Sequence, residues 1–228
     1  MKYINTLCTI LLMSITSQSY AQNIVDYYKL LSGHDHDIEM YALTEKEGKW
    51  VCTNADGVEL PVTVDLKNQY IEITEDHKEH GVFTMQLAMY TKKSGEDVVG
   101  VAKNMENDFV HGEVHFLKYR NGKWDDVTER VMPQITYKDF SEQQDAMGMV
   151  AAAPFDEDFN HEFEFGYTLP RSGNSAQANI ETAVLKNKCK EGNQSIDAYC
   201  KDLSNVKYSA VDLKWDRVKG IFKIVGKK

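Results

Sequence analysis

His34-Asp35-His36-Asp37 puts two imidazoles and two carboxylates into four consecutive residues. An H-x-H pair on an extended chain points both rings the same way, about 6.5–7 Å apart, a spacing that can chelate one ion. A third ligand has to come from elsewhere, and His77 or His80 could supply it. The plainer reading of the cluster is an exposed polar turn. His111-Gly112-Glu113-Val114-His115 has the wrong order for a zinc-protease helix, which needs Glu directly after the first His. Its alternation indicates a strand, where residues four apart lie about 13 Å from each other and share no metal. His111, Glu113 and His115 then form a polar strip on one sheet face, either a solvated surface or a binding surface. His161 is in phase with phenylalanines and reads as a core histidine.

Carboxylates are abundant, with eight acids and no Lys or Arg between Asp139 and Pro170, centred on Asp156-Glu157-Asp158. That run lacks the D-x-[DN]-x-[DN]-G spacing of a calcium loop. It reads as a solvated face, or as one facing a metal ion or a cationic partner. The stretch Lys201–Lys228 has the opposite balance, eight basic residues against three acids. The chain contains no G-x-S-x-G elbow, P-loop or G-x-G-x-x-G. A cysteine hydrolase could be assembled only from Cys52, a histidine and an acid with no spacing to recommend them, and paired glycosidase carboxylates leave no local signature.

Lys2, the apolar run Leu7–Ile15 and the small-x-small Ser19-Tyr20-Ala21 read as a secretory signal, cleaved before Gln22. No later stretch approaches the roughly 18 apolar residues of a membrane span. Cys8 lies too early, and Gln22 is no thiol, so no lipid anchor is expected. Cleavage leaves Cys52, Cys189 and Cys200 in a compartment that permits disulfides. Cys189–Cys200 is the expected pair, because the polar segment between them reads as a loop. Cys52, in W-V-C-T, reads as a small buried hydrophobe, with its role left open. With 228 residues and a net charge of −9, the chain has no basic surplus with which to neutralise nucleic-acid phosphates.

These side chains need elements to position them. Asn23–Leu31 carries a helical stripe of Ile24, Tyr28 and Leu31. The period then changes to two: Val58, Leu60, Val62, Val64 and Leu66 alternate, with Pro61 out of phase as at an edge or a bulge. Phe83–Met89, Val110–Phe116 and Phe159–Leu169 alternate likewise. Asn121-Gly122 is a hairpin turn, echoed by Glu47-Gly48, and each precedes Lys-Trp, at Trp124 and Trp50. A third hairpin follows Trp215, turning near Lys219-Gly220. Ser141–Ala151 has a capping-box start and reads as a second helix. The pattern predicts an α+β, mainly β fold: an antiparallel meander or half-open barrel with two short helices. Residues 22–228 form a single β-rich domain, with any sub-lobe boundary near 141–154.

The segments V-D-L-K-N-Q-Y-I-E-I, R-N-G-K-W-D-D-V-T-E-R-V-M-P, Y-T-L-P-R-S-G and D-L-K-W resemble pieces of uncharacterised exported proteins of Gram-negative bacteria. The resemblance implies export and brings no activity with it. The expectation is therefore a non-catalytic exported protein, periplasmic or secreted, that binds an envelope protein or a small ligand. Its binding residues would be His111, Glu113 and His115, with Trp50 and Trp124 as aromatic anchors. No cofactor is expected. The alternatives are a metal-binding protein using His34, His36, His77 and His80, or an unrecognised hydrolase.

Overall fold

The computed structural model describes residues 22–107, 110–141, 165–180, 187, 189–192, 200 and 206–228. The expected leader, the helix beyond Ser141, the boundary near 141–154, His161 and Asp156–Asp158 lie outside these residues.

Helix α1 spans Ile24–Leu31. Its start is a capping box: the Asn23 side chain accepts from the Val25 and Asp26 N–H groups, and Asp26 accepts from the Asn23 N–H at 3.0 Å. Ile24, Val25, Tyr27, Tyr28 and Leu31 are buried, so one stripe of the helix packs inward. A second, one-turn helix, α2, covers His36–Glu39 and is anchored by the fully buried Ile38.

The strands make three antiparallel sheets, with 49% of the described residues in strands. β1 (Ala42–Lys46), β2 (Lys49–Thr53) and β3 (Glu59–Leu60) form the first. β4 (Val62–Asp65), β5 (Tyr70–Asp76), β6 (Val82–Thr91), β7 (Asp97–Glu106), β8 (Val110–Arg120) and β9 (Lys123–Asp126) form a six-stranded meander in sequence order. β10 (Gly166–Thr168), β11 (Ser175–Asn179), β12 (Ala210–Asp216) and β13 (Ile221–Lys227) form a second meander. No sheet closes into a barrel among the described residues. The single strand expected over Val58–Leu66 is broken at Pro61. Lacking an N–H, Pro61 sits where the chain leaves the edge of the first sheet and enters the edge of the second. Both expected turns have two successive left-handed residues, Glu47 and Gly48 (φ 52° and 76°) and Asn121 and Gly122 (φ 52° and 78°). This matches the twist of a two-residue hairpin.

The six-stranded sheet is the middle layer. One face carries Ile71, Ile73, Met85, Leu87, Val99 and Val101, covered by α1, α2 and the first sheet. The other carries Tyr70, Ala88, Tyr90, Val98, Ala102 and Phe116, covered by the C-terminal sheet through Val211, Leu213, Trp215 and Phe222. β10 crosses this second face closely. The Asn104 side chain bonds both backbone groups of Tyr167, at 2.7 and 2.8 Å, and the Gln86 amide oxygen accepts from the Leu169 N–H at 2.8 Å.

Candidate functional site

Lys103 organises the candidate site. In β7 it is in phase with Val99 and Val101, so the pleat turns its side chain onto the buried face. The residue is only 8% exposed. A buried ammonium requires partners, and three carboxylates supply them. Asp35 lies 2.9 Å away, Asp37 2.8 Å and Glu113 3.1 Å. Glu113 is there because β7 and β8 pair Lys103 directly with it. Asp35 and Asp37 are there because α2 docks over this end of the sheet. Asp35 also caps that helix, accepting from the Asp37 and Ile38 N–H groups. Burial works to lower the Lys103 pKa, but the hydrogen bonds to Asp37, Asp35 and Glu113 and the Asp35 charge outweigh it and hold the ammonium above its ordinary range.

The ionic chain continues along β8 and β9. His115 lies 3.8 Å from Glu113, and its Nδ1 is 2.9 Å from Asp126. Burial tends to raise the Asp126 carboxyl, yet the hydroxyl and N–H of Thr128 together with His115 keep it below the usual carboxylate range. The outer members are open to solvent, with Asp37 54%, Glu113 53% and Asp126 50% exposed. Both carboxylate oxygens of Glu113 and of Asp126 have neighbours within the chain, yet these side chains stay about half exposed.

The two histidine motifs thus meet at one place, joined by a lysine that motif reading passes over. From the first motif the structure brings in Asp35 and Asp37. His34 is exposed in the preceding turn and His36 opens α2. From the second come Glu113 and His115, while His111 lies opposite Met105 in the register. His77 sits 3.6 Å from Glu75, and His80 is exposed in the one-turn 3-10 helix Lys78–His80. No group of three or more His, Cys, Asp or Glu side chains is placed to hold a metal ion among the described residues. Trp50 and Trp124 are half-buried against the core under this face. Trp124 tilts between Tyr27 and Tyr119, at 5.9 and 5.0 Å between ring centres, and its indole N–H points at the Leu30 carbonyl, 3.4 Å away.

A second polar group lies nearby. Glu75 accepts from the Tyr41 hydroxyl at 2.8 Å and from the Asn54 amide at 2.7 Å. Cys52 is fully buried, and burial, with the Glu75 charge second, pushes its thiol up to about 11. A protonated, enclosed thiol packs as a small apolar side chain and is a poor nucleophile. Next to it an open cleft of about 480 Å³ runs between the end of α1 and the start of β1, lined by Tyr28, Lys29, Glu39 and Tyr41 among others. Cys189 and Cys200 form the expected disulfide. No helix among the described residues is long and apolar enough to cross a membrane.

No family model matches the chain, and no curated protein does. Among solved structures, the chain is similar to a domain of an uncharacterised protein from Porphyromonas gingivalis W83, with 13% identity, a TM-score of 0.47, and coverage of 81% of this chain and 79% of that one.

Proposed function

We propose that the chain is an exported, non-catalytic binding protein of the bacterial envelope, and that the polar face around Lys103 is its recognition surface for a cationic partner. One observation carries this reading. A buried ammonium fixes Asp35, Asp37 and Glu113 in place while the side chains of Asp37, Glu113 and Asp126 stay about half exposed. Four carboxylates stand against one lysine and one histidine, so the face attracts positive charge. Because the carboxylates are already ordered, little conformational entropy is lost when a partner docks. The half-buried Trp124, two residues before Asp126 on β9, and Trp50 of β2, packed on the same core cluster, are the aromatic anchors of the face. The partner is an envelope protein, or a small ligand seated in the cleft beside α2. The disulfide and the leader-like N-terminus support export.

The test uses residues 22–228 immobilised as wild type and as the double variant Glu113→Gln, Asp126→Asn, each exposed to an envelope extract. The expected result is a component retained by the wild type, released by salt, and lost from the variant while the variant's β-sheet circular dichroism shows that it remains folded. A component held equally by both removes the face from the proposal. The protein recovered from cells should begin at Gln22, and a chain that keeps Met1 in the cytoplasm would overturn the export reading.

A further inference from the structure

The end of the central sheet away from Lys103 carries the opposite charge. Lys118 and Arg120 share one face of β8 with Phe116, about 6.6 Å apart along the strand. Continuing the register beyond Val99–Leu117 sets Glu96 opposite Arg120. Lys92 reaches in from the tight turn that joins β6 to β7, where the Lys92 N–H donates to the Glu96 carbonyl at 2.8 Å. One carboxylate consequently serves three cations. Glu96 lies 2.6 Å from the Lys92 ammonium and 3.2 Å from that of Lys118, and it also contacts the Arg120 guanidinium. Asp125 lies opposite Lys118 in the β8–β9 register and favours its charge, but it is itself paired with Arg130 at 2.7 Å, which disfavours it.

This arrangement differs from a solvated basic patch. The Lys118 side chain is 11% exposed and that of Lys92 21%, so two ammoniums are held together partly out of water. Even with Glu96 at 3.2 Å, burial first and Lys92 second bring Lys118 down to about 8. In a chain with a net charge of −9, a surplus of cations has been gathered at one point and left short of negative charge. An oxyanion corrects that deficit. The Arg120 side chain is 61% exposed and offers a planar fork suited to two oxygens of one group, while the two lysines act as point donors.

We propose that Lys92, Lys118 and Arg120 form a binding site for a phosphoryl oxyanion, either inorganic phosphate or the phosphate of a larger ligand. The site is independent of the Lys103 face, since the two share no residue.

Thermal unfolding of residues 22–228 in sodium phosphate and in sodium chloride of equal ionic strength at pH 7 tests the proposal. Phosphate is expected to raise the wild-type midpoint by about 2–4 °C, the range for a chain of this size per kcal/mol of ligand stabilisation. In Lys118→Met and in Arg120→Gln the rise should fall below half. Arg120 is well exposed, so that variant folds even if Lys118→Met does not. Equal wild-type midpoints in the two salts, or an undiminished rise in both variants, would overturn the proposal. Sedimentation with zwitterionic vesicles, with and without phosphatidic acid, separates the two sources. Retention only on phosphatidic acid vesicles assigns a lipid headgroup, and a phosphate response without retention assigns a free phosphate or a soluble ester.

Discussion

Two half-hidden lysines in adjacent strands have opposite electrostatic fates. Lys103 faces three carboxylates and is held charged. Lys118 shares one carboxylate with two other cations and loses its proton near pH 8. Lys103→Met should therefore destabilise the fold at pH 7 by about 2–3 kcal/mol, since it leaves clustered carboxylates without their cation; their partial exposure keeps the loss below that of a fully buried pair. The folded pKa of Lys103 is raised, so its contribution is present throughout the neutral range and is lost only as pH rises through that folded value. The gap between wild type and variant should instead shrink on acidification to pH 4, where protonation relieves the unpaired acids. Urea unfolding at the two pH values measures it, and equal stability at pH 7 would contradict the ion cluster. Lys118→Met should do the reverse. The lysine's folded pKa lies below its ordinary value of 10.5, so from pH 8 to 10.5 the unfolded chain holds more protons and wild-type stability rises with pH. The variant is expected to be the more stable chain at pH 7, by on the order of 1–3 kcal/mol, with the difference closing across that window. Comparing the two chains cancels the tyrosines that titrate in the same range. A difference that stays constant from pH 7 to 10.5 would mean that Lys118 is not short of negative charge. Glu113 and His115 were legible as a polar strip because they alternate with apolar neighbours. Lys103 was not, although a lysine in phase with Val99 and Val101 is itself a signal that something must pair with it.

At the scale of elements, alternation revealed strands in proportion to how unequal their two faces are. β6 and β8 each show a period of two over part of their length. β7 does not, because Val98 to Ala102 are all buried, and a strand covered on both sides loses its polar phase. β10 and β11 are short and rich in small residues, so what holds them is contact made by other strands rather than their own pattern. Gly112 shows this. A Cβ there would come within 2.6 Å of the Phe165 carbonyl oxygen and 2.8 Å of the Gly166 Cα, both backbone atoms of the segment that crosses β8. Gly112→Ala should cost about 1–3 kcal/mol, as overpacking does, and should loosen β10 where Asn104 binds Tyr167. Gly226→Ala is the control, because a Cβ there meets only Asp212, at 3.5 Å and beyond. Equal melting temperatures for the two alanine variants would show that β10 does not lie against Gly112. Nothing in the sequence distinguishes these glycines, because the difference between them is made by a strand more than fifty residues away.

For the whole molecule, composition correctly excludes a chain-wide basic surplus but conceals how charge is sorted. Acids collect around Lys103 at one end of the central sheet and cations around Glu96 at the other, a separation that comes from register and not from any run in the sequence. The cysteines follow compartment and burial more directly. Cys52 is sealed beneath the Lys103-bearing face, whereas neither Cys189 nor Cys200 belongs to a core cluster on either side of the central sheet. The disulfide therefore acts on the unfolded chain by closing a loop of 11 residues, which contributes roughly 3 kcal/mol in the chain-entropy account. Thiol titration of residues 22–228 should find no reactive thiol in the native protein, one in denaturant, and three in denaturant after reduction. Reduction of the folded protein should lower the melting temperature while the β-sheet circular dichroism at 25 °C is retained, because among the described residues neither core cluster includes Cys189 or Cys200. Three thiols in the unreduced, denatured chain would remove the disulfide. Loss of sheet signal on reduction would mean that the bridge holds a core together, contrary to where the two cysteines lie.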